Sequence, residues 1–182
     1  MYRSVLIEHY DTGFVLGGSS GQYISLSKTE INGHMLWRKY FGSNSGSVLL
    51  YAIYTAPDGG FIVAGKTNRF SELMQCFEPL YMKVSVCGEL EWCKVIRTPN
   101  HANCSGVDVA VTPTGIIKGL ASFPYYPDAS RTLFTTISAD GLDVRVDTMR
   151  NAGEQAFSAA IGLKIMTVSD SSVTFCMQSM HN

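Results

Sequence analysis

The chain has 182 residues, of which 46% are hydrophobic and 16% charged, and its formal net charge is −1. That hydrophobic share excludes a disordered chain, and the length suits one domain able to bury its own core. The near-zero charge gives no electrostatic case for nucleic acid or an anionic membrane as a partner.

With 17 Gly, 9 Tyr and 9 Phe against few charges, the composition points to many short strands and tight turns. At the N-terminus the apolar stretch Val5-Leu6-Ile7 meets Glu8, well short of the ~7–15 apolar residues of a signal peptide. No later run approaches the ~18 needed to cross a membrane as a helix. Five Cys (76, 87, 93, 104 and 176) form an odd set with no Cys-x-x-Cys. Together these favour an intracellular chain with reduced thiols, or a piece of a secreted one.

Asp11-Thr12-Gly13 reads as a turn into a strand, Phe14-Val15-Leu16-Gly17-Gly18. A second hairpin reaches Asn32-Gly33-His34-Met35-Leu36-Trp37, with a larger loop expected across Lys28 to Gly33. Next come a strand over Val48–Thr55, the turn Pro57-Asp58-Gly59-Gly60, and strands over Phe61–Lys66, Leu80–Val86 and Glu89–Ile96. In Leu80–Val86, Met82, Val84 and Val86 share one face while Lys83 and Ser85 take the other. Cys87-Gly88 and, later, Asp140-Gly141 are expected to reverse the chain as two-residue type I′ turns. Pro113-Thr114-Gly115 leads into Ile116-Ile117-Lys118-Gly119. The best helical candidate is Gly153 to Lys164, yet glycines bracket it and its register fits a strand. Ser169 to Ser172 then turns into Val173-Thr174-Phe175-Cys176.

These elements recur. Phe14 is matched by Phe61, 47 residues on, and by Ile116, a further 55 on. Gly33 and Trp37 are matched by Gly88 and Trp92, both displaced by 55, and Gly88 by Gly141, with Arg145 where Trp stood. Each repeat carries about four strands, a common unit of propeller blades at this period. The expectation is all-β: one domain over 1–182, built of antiparallel four-stranded blades, with repeats at about 4–42, 47–97 and 104–146 and a partial one at 157–179.

Asp58-Gly59-Gly60-Phe61-Ile62-Val63-Ala64-Gly65, then Tyr81-Met82-Lys83-Val84, then Gly88-Glu89-Leu90-Glu91-Trp92 resembles a β-propeller repeat family of secreted and surface proteins. The resemblance is best over 47–97, fair over 4–42 and weak after 104. It implies a propeller-like fold and a habit of binding, not a reaction. Ser27, Ser85 and Ser138 stand where that family often has Asp, so no acidic role carries over.

Antiparallel order puts the tight glycine turns on one face and the long connections on the other: Asn68–Pro79, Arg97–Gly106, Ser122–Arg131 and Asp147–Ala156. Connections gathered on one face of a repeat protein often mark its binding side. Two of these are apolar. One carries Phe70, Leu73, Met74 and Phe77; the other carries Phe123, Tyr125, Tyr126 and Asp128 around Pro124 and Pro127. These eight are the expected partner contacts, since aromatics on stiff loops lose little entropy on binding. The alternative is that they fold back onto their own sheets or bury against a neighbouring one. Trp37 and Trp92, repeated at one place, are expected to pack between sheets. His9, His34 and His181 show no motif partner. Cys76, His101 and Cys104 lack a fourth ligand, so neither a metal nor a cofactor is expected.

The chain has no Gly-x-Ser-x-Gly, no His-Glu-x-x-His and no phosphate loop leading into a helix. The expected role is therefore non-enzymatic: a scaffold or interaction module meeting a protein partner through its long-loop face. One alternative is a structural piece of a larger ring, formed as a homo-oligomer or completed by a second chain, because three and a half repeats leave strand edges open. Another is a carbohydrate binder or propeller enzyme using Tyr125 and Tyr126.

Overall fold

Short alternating segments separated by glycine turns can satisfy their backbone groups only by pairing with one another. The computed structural model describes residues 4–11, 13–70, 76–97, 103–104, 106–123, 131–150 and 160–179, and every regular element among them is a β-strand. The first sheet is β1 (Ser4–Glu8), β2 (Phe14–Ser19), β3 (Tyr23–Thr29) and β4 (Met35–Gly42), antiparallel in chain order. The second is β5 (Val48–Thr55), β6 (Phe61–Thr67), β7 (Glu78–Val84) and β8 (Leu90–Val95). The third is β9 (Gly106–Val111), β10 (Ile117–Phe123), β11 (Arg131–Ile137) and β12 (Val144–Arg150). A fourth holds β13 (Ala160–Val168) and β14 (Val173–Ser179). The all-β expectation holds. Residues 160–164 of the helical candidate are strand, and the rest of it lies outside the described residues.

The sheets stack on apolar layers. Val15, Ile24 and Leu26 of the first sheet meet Leu50, Phe61 and Val63 of the second. On the other side, Ile62, Ala64 and Tyr81 meet Val107, Ile117 and Phe123 of the third. Successive residues of β6 thus enter opposite layers, as a strand's period of two requires. Ala110, Leu120 and Ile165 join the third sheet to the fourth. The leading strands lie side by side, β1 by β5, β5 by β9 and β9 by β13. Small residues permit the close approach: a Cβ on Gly119 would fall 2.5 Å from the Tyr81 ring, which is fully buried.

The reversals differ from the expected two-residue type I′ turns. The N–H of Gly88 donates to the Ser85 carbonyl (2.9 Å) and that of Ser85 to the Glu89 carbonyl (2.8 Å). The same pair of bonds closes Glu30–His34, Ala56–Gly60 and Thr112–Ile116. In each, the left-handed position is the fourth residue: Gly33, Gly59, Gly88 or Gly115. This is a tight turn followed by a left-handed glycine bulge, and the glycine, not Cys87, takes the left-handed position. It also pulls Ser85 and Val86 out of the strand, so β7 spans Glu78–Val84 rather than Leu80–Val86. The first hairpin loop is no larger than the second, since Glu30–His34 and Ser85–Glu89 are the same turn. Finally, the turn bonds align Ile116 with Gly60, so Ile117, not Ile116, matches Phe61.

Candidate functional site

Side chains of the glycine turns and of the third and fourth strands tie each sheet together and to its neighbour. Lys28 of β3 donates to Asp11 Oδ2 at 2.5 Å, and Lys83 of β7 lies 2.5 Å from Asp58 Oδ2 and 3.1 Å from Glu91 Oε2. Each lysine side chain is largely buried while its charged end reaches a turn carboxylate. The Lys28 hydrogen bond, with help from His9 and the Gly13 N–H, holds Asp11 far below the usual carboxylate range. Burial pushes Asp58 up, but Lys83 and the Gly60 N–H outweigh it, and its net shift is downward. His9 is buried between sheets, with Nδ1 2.7 Å from Asp11 Oδ1 and Nε2 3.1 Å from the Gly59 carbonyl oxygen. Trp37 Nε1 donates to the Val86 carbonyl of the next sheet (3.0 Å), and Trp92 Nε1 to the Ala139 carbonyl of the one after (3.3 Å). Gly88 and Gly141 lie directly against those two indoles. The expected packing of the tryptophans between sheets is therefore a dock onto the neighbour's turn. Arg145, at the corresponding place in β12, is exposed and pairs with Asp147.

On the opposite face, between the first and second sheets, lies a cleft of about 650 Å³. Phe41, Val48, Leu80, Met82 and Val95 give it an apolar lining. Ser43, Ser45 and Ser47 line it from the β4–β5 connection, Arg69 and Phe70 from the residues after β6, and Arg97 from beyond β8. Loop hydrogen bonds fix this rim. The Ser47 N–H donates to Asn68 Oδ1 (2.6 Å), the Asn68 N–H to the Ser47 carbonyl (3.2 Å), and the Arg69 N–H to Thr67 Oγ1 (3.2 Å). Gly46, at φ 83°, lets the connection pass the Arg69 backbone, where a Cβ would sit 2.8 Å from its Cα. The Arg69 guanidinium lies over the Phe70 ring at 5.4 Å. Among the described residues no Asp or Glu lines the cleft, and none forms an ion pair with either arginine. Cys93 opens into the cleft. Desolvation by the surrounding protein pushes its thiol up, against the opposing pull of the Arg69 and Lys94 charges.

The expected contact residues separate. Phe70 is 45% exposed and lines the cleft. Phe77 is half-buried elsewhere, under the Lys66 ammonium at 4.8 Å, and its carbonyl accepts from the Cys104 N–H (2.8 Å). Phe123 is fully buried in the layer between the second and third sheets. As the last residue of β10 it completes a core and presents no contact surface. Leu73, Met74, Tyr125, Tyr126, Asp128, His101 and His181 lie outside the described residues. All five cysteines are free thiols. Sequence reasoning missed Arg69, Arg97 and the serine connection. The signal available to it was Arg69 and Arg97 directly following two strands at one end of their sheet, where antiparallel order brings them to one face.

No known protein family matches the chain, and no curated protein matches it.

Proposed function

We propose that the chain is a propeller-like scaffold or interaction module that meets a protein partner through its long-loop face, without catalysis. The observation that carries this is the cleft between the first two sheets. It opens on that face, is apolar within, carries the exposed Phe70 at its rim, and falls in the ~300–1,000 Å³ range of ordinary ligand sites. A radial, propeller-like arrangement draws support from the side-by-side leading strands. It draws more from a second hollow of about 530 Å³ shared by all four sheets through Tyr10, Tyr54, Pro57, Pro113 and Met166. In the test, tagged protein captures partners from extract of its source cells, and Phe70→Asp is compared with Tyr10→Ser plus Tyr54→Ser on the turn face. The expected result is loss of the captured protein on Phe70→Asp alone. Loss only with the tyrosine variant would place the contact on the wrong face and overturn the reading.

A second reading, assembly into a larger ring, is favoured by β14, which pairs only with β13 among the described residues and leaves its other edge open. A strand from another chain, or from sequence beyond these residues, would fill it. Light scattering decides: a dimer or larger species supports assembly of this chain with itself, and a monodisperse monomer removes it.

A further inference from the structure

Within the reading of the long-loop face as the contact face, we infer that the cleft between the first two sheets binds an acidic peptide segment, with carboxylates on Arg69 and Arg97 and an apolar side chain between them. Three features of the cleft select this class. First, Arg69 and Arg97 reach it from different elements, after β6 and beyond β8, with no described carboxylate in the lining to neutralise either. An unpaired guanidinium beside apolar walls favours an incoming carboxylate, which it can grip with two parallel N–H donors. Second, the floor between them is apolar, formed by Phe41, Leu80, Met82 and Val95. A small inorganic anion would leave that floor wet, whereas a segment alternating acidic and apolar residues covers it. Third, the serines of the β4–β5 connection stand along the rim as hydroxyl donors and acceptors suited to a peptide backbone. The rim is already fixed by its own hydrogen bonds through Asn68 and Thr67, which lowers the ordering cost of binding.

The experiment uses the whole chain and a blocked octapeptide alternating glutamate and leucine, with its glutamine–leucine counterpart and inorganic phosphate as comparison probes. Calorimetry is expected to show binding of the glutamate peptide that weakens as salt rises. Binding should be at least tenfold weaker for the glutamine peptide, and likewise for the glutamate peptide with Arg69→Gln plus Arg97→Gln. A second readout needs no variant. Maleimide modification of Cys93, mapped by mass spectrometry, should slow when the glutamate peptide is present, while that of Cys87, exposed in a turn of the other face, should not. Absence of glutamate-peptide binding, equal binding of both peptides, or unprotected Cys93 would each overturn the inference. Protection by phosphate equal to that by peptide would also overturn it, leaving a small-anion site. Should the peptide fail while Phe70→Asp still abolishes partner capture, the contact face stands and the acidic ligand falls. Should the peptide bind while Phe70→Asp captures normally, the cleft is a ligand site apart from the partner face.

Discussion

Asp11 and Asp58 sit in glycine turns, and each reaches a largely buried lysine on the third strand of its own sheet. Both carboxyls are held below their ordinary value of 3.8, Asp11 chiefly by Lys28 and Asp58 by Lys83 and Gly60 against the opposing pull of burial. A carboxylate depressed in the folded state adds stability that is complete above its unfolded value and disappears as pH falls through its folded one. Lys83 is the converse case: burial pulls it down, but Asp58 and Glu91 outweigh that, and it is raised above 10.5. Its contribution is complete below the unfolded value and disappears as pH rises through the folded one. Tm is therefore expected to hold between about pH 5 and 9, fall on acidification below about 4, and fall again above about 10.5. In Asp11→Asn plus Asp58→Asn, thermal melts across pH should show a lower plateau and a flatter acid limb; an unchanged acid limb would refute the assignment. The sequence shows these residues singly, Asp58 in its turn and Lys83 on a polar strand face. Their pairing depends on a lysine long enough to pass from the third strand back to the first turn, and strand alternation alone does not reveal that.

At the level of elements, the turns and the fourth strands work together. A turn with its glycine in fourth place presents its second-position carbonyl outward, and the tryptophan of the preceding sheet donates to it at Val86 or Ala139. Trp92→Phe keeps most of the ring contact and loses the N–H donor, an expected cost of about 1 kcal/mol. Trp92→Ala also loses the packing against Gly141, for about 2–3 kcal/mol in total, less than a fully buried ring because this one is only half-buried. Arg145→Ala, at the exposed counterpart, should stay within about 0.5 kcal/mol of wild type. Urea midpoints for the three variants check the order, and equal losses at 92 and 145 would show the dock to be incidental. The strands were readable from alternation, and the Gly–Trp spacing revealed the docks as a recurrence. The turn type is not legible, because Asp-Gly and Cys-Gly suit a two-residue reversal locally, whereas the observed bonds place the glycine one step later.

Across the whole molecule, the second sheet is the interior. β6 and β7 are covered on both faces, by the first sheet and by the third, while among the described side chains the fourth sheet contributes a small layer around Ile165. Local opening follows buried apolar contact. Hydrogen exchange should therefore be slowest at amides such as those of Val63 and Tyr81, and much faster throughout β13 and β14. Equal protection in all four sheets would mean that they open as one unit. Composition and periodicity made the all-β class and the two faces legible, but not the cleft. Its walls come from opposite sides of an inter-sheet gap, and Phe123, which looks like a loop aromatic in sequence, is taken by the core. The docks between sheets also have a direction in time. Trp37 finds its acceptor 49 residues later in the chain, Trp92 47 later, and His9 50 later. At roughly 5–20 residues synthesised per second, a newly made sheet waits about 2–10 s for the turn that will clasp it. On the ribosome, each sheet is thus left provisional until its successor emerges.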